Sequence, residues 1–164
     1  MEQNKKSEDS VSKVTLKRIT IRNLDLILSL RPKPRQRGLV ASNAYSIAQA
    51  HFTRGVWFRA ICLENTPIGF VMLKDNSLKF KYITSKDPMI YLWRFMIDGR
   101  YQGKGYGKKA LELVIEYAKS RPNAKEITLH HEPLKGNAGE FYKKVGFEHT
   151  GKILNGELEM RLRL

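Results

Sequence analysis

The stretch Arg100-Tyr101-Gln102-Gly103-Lys104-Gly105-Tyr106-Gly107-Lys108-Lys109-Ala110-Leu111 decides the fold. It follows the apolar run Met89 to Ile97 and opens a helix-like run from Ala110 to Ala118. The order is strand, glycine-rich turn, helix. Gly103, Gly105 and Gly107 stand at every second position, which removes side chains where backbone N–H groups must face one ligand. The helix that begins there adds unpaired N–H donors and the positive end of its dipole. Lysines at the same point add charge, so the turn is expected to hold a phosphate or pyrophosphate.

Two familiar phosphate loops do not fit. A dinucleotide fingerprint, G-x-G-x-x-G, would need a third glycine where Lys108 stands. A P-loop would need Ser or Thr after Gly-Lys, but Gly107-Lys108 is followed by Lys109. The pattern that fits is Q-x-x-G-x-G, carried by Gln102, Gly105 and Gly107. It resembles the acyl-CoA pyrophosphate loop of the GCN5-related N-acetyltransferase (GNAT) superfamily.

Working outward, the 164 residues suit one domain with a real core. Residues 1–13 are polar, mixed in charge and aperiodic, and are expected to be a flexible tail before a domain spanning 14–164. Val14 to Thr20 alternates as an edge strand, and a short helix is expected from Asn23 to about Leu30. The prolines of Arg31-Pro32-Lys33-Pro34-Arg35 exclude helix there. Ser42 or Asn43 caps a second helix, with Ala44, Ile47, Ala48 and His51 on one face. Val56 to Leu63 and Ile68 to Leu73 read as a hairpin about Glu64-Asn65-Thr66-Pro67. Residues 79–83 are read as further strand or loop. Met89 to Ile97 is the central strand, Gly105 to Lys119 the main helix, Glu126 to His130 a strand and Ala138 to Val145 a short helix. Strands near 148–153 and 158–164 end the series. The pattern is an α/β domain with a mixed sheet.

No apolar run is long enough to span a bilayer. The first residues carry no apolar segment of a secretory signal, and the single cysteine, Cys62, suits a reducing compartment, so a cytoplasmic protein is expected. The formal charge of +14 raises a nucleic-acid role. The basic residues are scattered, without interleaved aromatics or a helix-turn-helix pattern, which argues against it.

A second motif, Asn137-Ala138-Gly139-Glu140-Phe141-Tyr142-Lys143-Lys144-Val145-Gly146-Phe147, resembles the superfamily's A-x-x-x-Y-x-x-x-G-F element. Pro67-Ile68-Gly69-Phe70-Val71 resembles its preceding hairpin strand. Leu39 to Ala50, Tyr91 to Asp98 and Gly151 to Leu164 are similar to bacterial diamine and spermine/spermidine acetyltransferases. The resemblance implies a mostly antiparallel mixed sheet, splayed at an acetyl-CoA site and flanked by helices. It implies that Phe95, Met96 and Ile97 offer backbone to the pantetheine arm. Gln102, Gly103, Lys104, Gly105, Tyr106 and Gly107 would hold the pyrophosphate, with Lys108 beside them. Tyr142 becomes the candidate general acid. The family's asparagine would fall at position 135, which is lysine, leaving Asn137 as the stand-in. No metal is implied, and a dimer through the last strands is.

Amide formation from acetyl-CoA requires a neutral amine, a polarised carbonyl and a proton for the thiolate. An alkylamine of pKa about 10.4 is almost wholly protonated at neutral pH, so a base is needed. His130 and His131 have suitable pKa values, while Glu64, Asp98, Glu132 and Glu140 are further candidates through water. Arg94 is read as lying on a partly open face, with Tyr91, Trp93 and Phe95 on the other. The expected activity is N-acetylation of a small polyamine. Another amine, or a non-catalytic domain that binds CoA or nucleic acid, is the alternative, because a strongly cationic domain repels a polycation unless acids gather at the site.

Overall fold

A computed structural model describes residues 13–77, 90–133 and 138–164 of the chain. Residues 1–12, the 79–83 segment, Lys135 and Asn137 lie outside them. Seven strands form one sheet in the order β1-β2-β3-β4-β5-β7-β6. These are β1 (Val14–Lys17), β2 (Val56–Leu63), β3 (Thr66–Asp75), β4 (Ile90–Ile97), β5 (Glu126–His131), β6 (Glu148–Leu154) and β7 (Glu157–Arg163). The helices are α1 (Leu24–Ser29), α2 (Asn43–His51), α3 (Tyr106–Lys119) and α4 (Gly139–Lys143).

The β2–β3 hairpin is tighter than its composition suggests. Leu63 pairs with Thr66, so only Glu64 and Asn65 form the loop, and Glu64 takes φ +53° to close it. Thr66 and Pro67 thereby join β3. Near Pro34 the chain makes a 3₁₀ turn, Pro34–Gln36, where no helix was expected. A proline at the first helical position fits because its missing N–H has no partner to lose.

Two apolar cores flank the sheet. One packs Ala110, Leu111, Val114 and Ala118 of α3 against Ile61, Ile68, Val71, Ile90 and Leu92. The other packs Ile27 and Leu30, with Ala50 of α2, against Phe70, Met72 and Met96. The buried face of α2 is Asn43, Ser46 and Ala50, while Ala44, Ala48 and His51 are exposed, contrary to the periodicity reading. A polar residue can take the inner face because Asn43 Nδ2 donates to Ile27 O at 2.8 Å. Ser42 does cap this helix, accepting from the Tyr45 N–H at 3.2 Å.

β4 carries the feature that organises the site. Opposite β3, Met72 pairs with Arg94 and Leu73 with Leu92, which leaves Trp93 as an extra residue. Such a bulge reverses the inside–outside alternation beyond it. Ile90, Leu92, Phe95 and Ile97 accordingly belong to the α3-side core, and Trp93 and Met96 to the opposite one. Phe95 therefore does not share a face with Trp93, contrary to the strict alternation that groups Tyr91, Trp93 and Phe95.

Candidate active site

β4 is paired with β3 from Ile90 to Ile97, but with β5 only at Ile90↔Ile127 and Tyr91↔Thr128. Beyond Tyr91 the two parallel strands part. The wedge between them opens into a cleft of about 740 Å³, reaching from the glycine-rich turn to the β6–β7 hairpin. Phe95, Met96 and Ile97 line it where β4 has lost its β5 partner, so backbone groups on that side have no ladder to satisfy them.

At one end lies the turn. Gly103 and Gly105 have φ of +78° and +81°, conformations that side chains other than glycine rarely adopt. Gly105 caps α3, whose first hydrogen bond runs from Lys109 N–H to Gly105 O at 3.2 Å. The N–H groups of Tyr106, Gly107 and Lys108 precede it and have no intrahelical acceptor. Gly103, Gly105, Gly107 and Lys108 line the cleft together with Gln102. Gln102 Nε2 donates to both Ile97 O and Gln36 Oε1 at 2.8 Å, tying the end of β4 to the 3₁₀ turn. Lys104 and Tyr106 are not on the wall. Lys104 Nζ sits 5.9 Å from the Tyr101 ring, and Tyr106 packs against the α3-side core.

Tyr142, on α4, is 8% exposed and forms part of the wall. Its ring rests edge-on against Phe147, and its carbonyl accepts from the Val145 and Phe147 N–H groups, closing the helix at Gly146. Burial, and secondarily the nearby Tyr91, pushes its phenol well above the ordinary value. The hydroxyl therefore keeps its proton at neutral pH.

The other end of the cleft is polar. Tyr91, Arg94, His130, His131, Glu132 and Glu157 reach it. Tyr91 Oη and His130 Nδ1 lie 3.2 Å apart, and His130 Nε2 is 3.8 Å from Glu159 Oε2 on β7. His131 Nδ1 meets Glu132 O at 2.9 Å, and its Nε2 is buried without a partner. Arg94 donates to Trp93 O at 2.9 Å and Gln49 Oε1 at 3.3 Å, its Nε buried and unpartnered. Burial lowers its pKa against the opposing pull of Tyr91, Tyr45 and Glu157. Of the other carboxylates considered as bases, Asp98 is engaged with Arg100, Glu140 with Lys143, and Glu64 with the Lys13 N–H; none lines the cleft.

Glu157 and Glu159 had no local signal in the sequence. Their position depends on β7 lying beside β5, with His130 opposite Glu159. Among the described residues no group of three or more His, Cys, Asp or Glu is placed to hold a metal, and no helix is long and apolar enough to cross a membrane.

The geometry has counterparts in known proteins. The chain is 30% identical to the spermine/spermidine N(1)-acetyltransferase of Bacillus subtilis (strain 168), over 90% of this chain and 96% of that one. An acetyltransferase from Thermus thermophilus superposes with a TM-score of 0.69 at 17% identity, over 92% of this chain and 97% of the other. The PaiA N-acetyltransferase of Thermoplasma acidophilum, solved with coenzyme A, gives 0.66 at 18% identity over 93% and 99%. The model of the acetyltransferase (GNAT) family matches residues 24–147, from α1 through β4, α3 and β5 to Phe147, and the chain belongs to that family.

Proposed function

We propose that the protein transfers the acetyl group of acetyl-CoA to a primary amine, with a polyamine such as spermidine or spermine as acceptor, by direct attack within a ternary complex. The observation that carries this reading is the wedge between β4 and β5, which runs into a turn of unpaired N–H groups. An extended amide-bearing arm fits the open strand edge, and a pyrophosphate fits the turn. Phe95, Met96 and Ile97 would hold the first, and Gln102, Gly103, Gly105 and Gly107 the second, with Lys108 beside them. Lys104 and Tyr106 are support for the turn in this reading. The cofactor supplies the activated acetyl group. Tyr142 holds a proton at Oη for the departing thiol, in a site dry enough to keep the phenol neutral.

The acceptor end bears on the amine. In a chain of net charge +14, Glu132 and Glu157 stand on the cleft wall with Glu159 behind them. These local carboxylates offset the repulsion that a polycation would otherwise meet. The likeness to a spermine/spermidine acetyltransferase supports the same class. One observation favours a second reading. Arg94 forms no ion pair with any described carboxylate, and a guanidinium at a half-buried site suits an acceptor bearing its own carboxylate, such as an amino-acid derivative. Cytoplasmic residence, supported by the lone buried Cys62, and a dimer formed through the β6 edge complete the proposal.

The test is release of CoA thiol from acetyl-CoA with spermidine, spermine and putrescine, run beside carboxylated amines. Saturable release with a polyamine supports the first reading. Release confined to carboxylated amines, abolished by Arg94→Met, replaces it with the second.

A further inference from the structure

Resting on the acetyl-transfer reading, we infer that Tyr91, His130 and Glu159 form the path by which the acceptor amine loses its proton. Inside the cleft the Tyr91 phenol and the His130 imidazole, both titratable, meet at hydrogen-bond distance, 3.2 Å from Oη to Nδ1. The far side of the ring faces Glu159, whose Oε2 lies 3.8 Å from Nε2. Both side chains of that pair are largely buried, and Glu159 is itself held by Thr150 Oγ1 at 2.8 Å. A carboxylate opposite Nε2 favours the tautomer with its proton there, leaving Nδ1 to accept from the Tyr91 hydroxyl.

The step balances in one direction. The ammonium of the acceptor gives a proton to Tyr91 Oη as the phenol gives its own to His130 Nδ1. Tyr91 ends neutral, His130 becomes imidazolium, and the amine acquires the lone pair that attacks the acetyl carbon. Glu159 stabilises the imidazolium across Nε2. The transfer runs uphill by about four pKa units for a free alkylamine and a free imidazole, so stabilising the imidazolium matters for rate. Burial, then Glu157, raises the Tyr91 pKa, which keeps the phenol a relay and not an anion. The charged and titratable groups around the path are Arg94 on β4, Glu157 and Glu159 on β7, Lys152 on β6, 3.4 Å from Glu159, and Tyr142 on α4. His131 has no comparable route, because its Nδ1 meets the Glu132 carbonyl and its Nε2 has no partner. Tyr91 is the catalytic residue of the three, and Glu159 a positioning residue.

The experiment measures kcat/KM for spermidine against pH by CoA thiol release in wild type, Tyr91→Phe, His130→Gln and Glu159→Gln, with acetyl-CoA affinity and circular dichroism as controls for folding. His130→Gln and Tyr91→Phe are expected to lower kcat/KM about 10²-fold at pH 7. They should also leave a rate whose pH dependence follows only the amine's own ionisation. Glu159→Gln leaves the imidazolium without its carboxylate, so it should lower kcat/KM at pH 7 by a smaller factor than His130→Gln does. Wild-type turnover with an unchanged profile in His130→Gln would overturn the relay while leaving acetyl transfer standing. Absence of turnover with spermidine and every other amine would instead remove the acetyl-transfer reading. Nitrogen-15 histidine spectra then decide the relay separately: a proton on Nε2 of His130 in the wild type, shared between the ring nitrogens in Glu159→Gln, upholds it, and a proton on Nδ1 rejects it.

Discussion

β4 has two unlike sides. Toward β3 it is paired from end to end save for Trp93, with Gly69 so close to Met96 O that a Cβ would collide with it. Toward β5 it is paired at two residues and then opens. At the far end of β3, Asp75 accepts from Arg121 Nε at 2.7 Å and Tyr117 Oη at 3.2 Å, pinning the strand to the end of α3. On the open side Tyr91 reaches His130 of β5 at 3.2 Å, Phe95 meets Phe141 across 5.9 Å, and the rest is cleft wall. The contrast separates the residues that hold the fold from those that would work on a ligand, although they share one strand.

Five substitutions would break or sharpen that contrast. The largest expected effect is Phe70→Ala on the closed side. Its ring is fully buried between β2 and the α1–α2 layer, and its loss is expected to cost about 4 kcal/mol in urea unfolding. A cost below about 1 kcal/mol would mean that this side is not the better packed one. Next, Tyr142→Phe on the open side should lower kcat about 10²-fold, equivalent to about 2.7 kcal/mol, while shifting stability by less than about 1 kcal/mol. A large fall in melting temperature with kcat intact would make Tyr142 a core residue only.

Asp98, where β4 meets the turn, tests the boundary between the sides. Burial alone would raise its carboxyl, but hydrogen bonds from Arg100 and from the Arg31 and Arg100 N–H groups outweigh this and hold it below the usual range. A depressed folded pKa gives stability that is full above the unfolded value, near 3.9, and lost as pH falls through the folded one. Asp98→Ala is expected to cost about 2 kcal/mol at pH 7, since the Arg31 N–H loses its acceptor. Its deficit against wild type should shrink below about pH 4, as chemical denaturation at each pH would record. The smallest pair of effects lies in the turn. Lys108→Ala should raise the acetyl-CoA KM about threefold, and Lys104→Ala by less than about twofold, because only Lys108 lines the cleft. Equal effects would mean that general charge, and not position, matters there.

Much of the fold was legible in the sequence. Glycines at 103 and 105, the capping serine at 42 and the spacing of α3 are local signals with local causes. What escaped reading was set by distant partners. The inner face of α2 includes Asn43 only because the Ile27 carbonyl accepts its amide. The face of Phe95 depends on one unpaired residue in its own strand, and the Tyr91–His130–Glu159 arrangement on β7 folding back beside β5. Composition and periodicity carry no register, so the open side showed its glycines and its two tyrosines but not which groups they face.

The unpaired Trp93 has a bearing on how such a chain tolerates change. With Trp93 deleted, Leu92 and Arg94 would become consecutive opposite Leu73 and Met72, and Phe95, Met96 and Ile97 would keep both their partners and their faces. Trp93 is thus slack in the strand, the position at which β4 could shorten by one residue without turning its far end over.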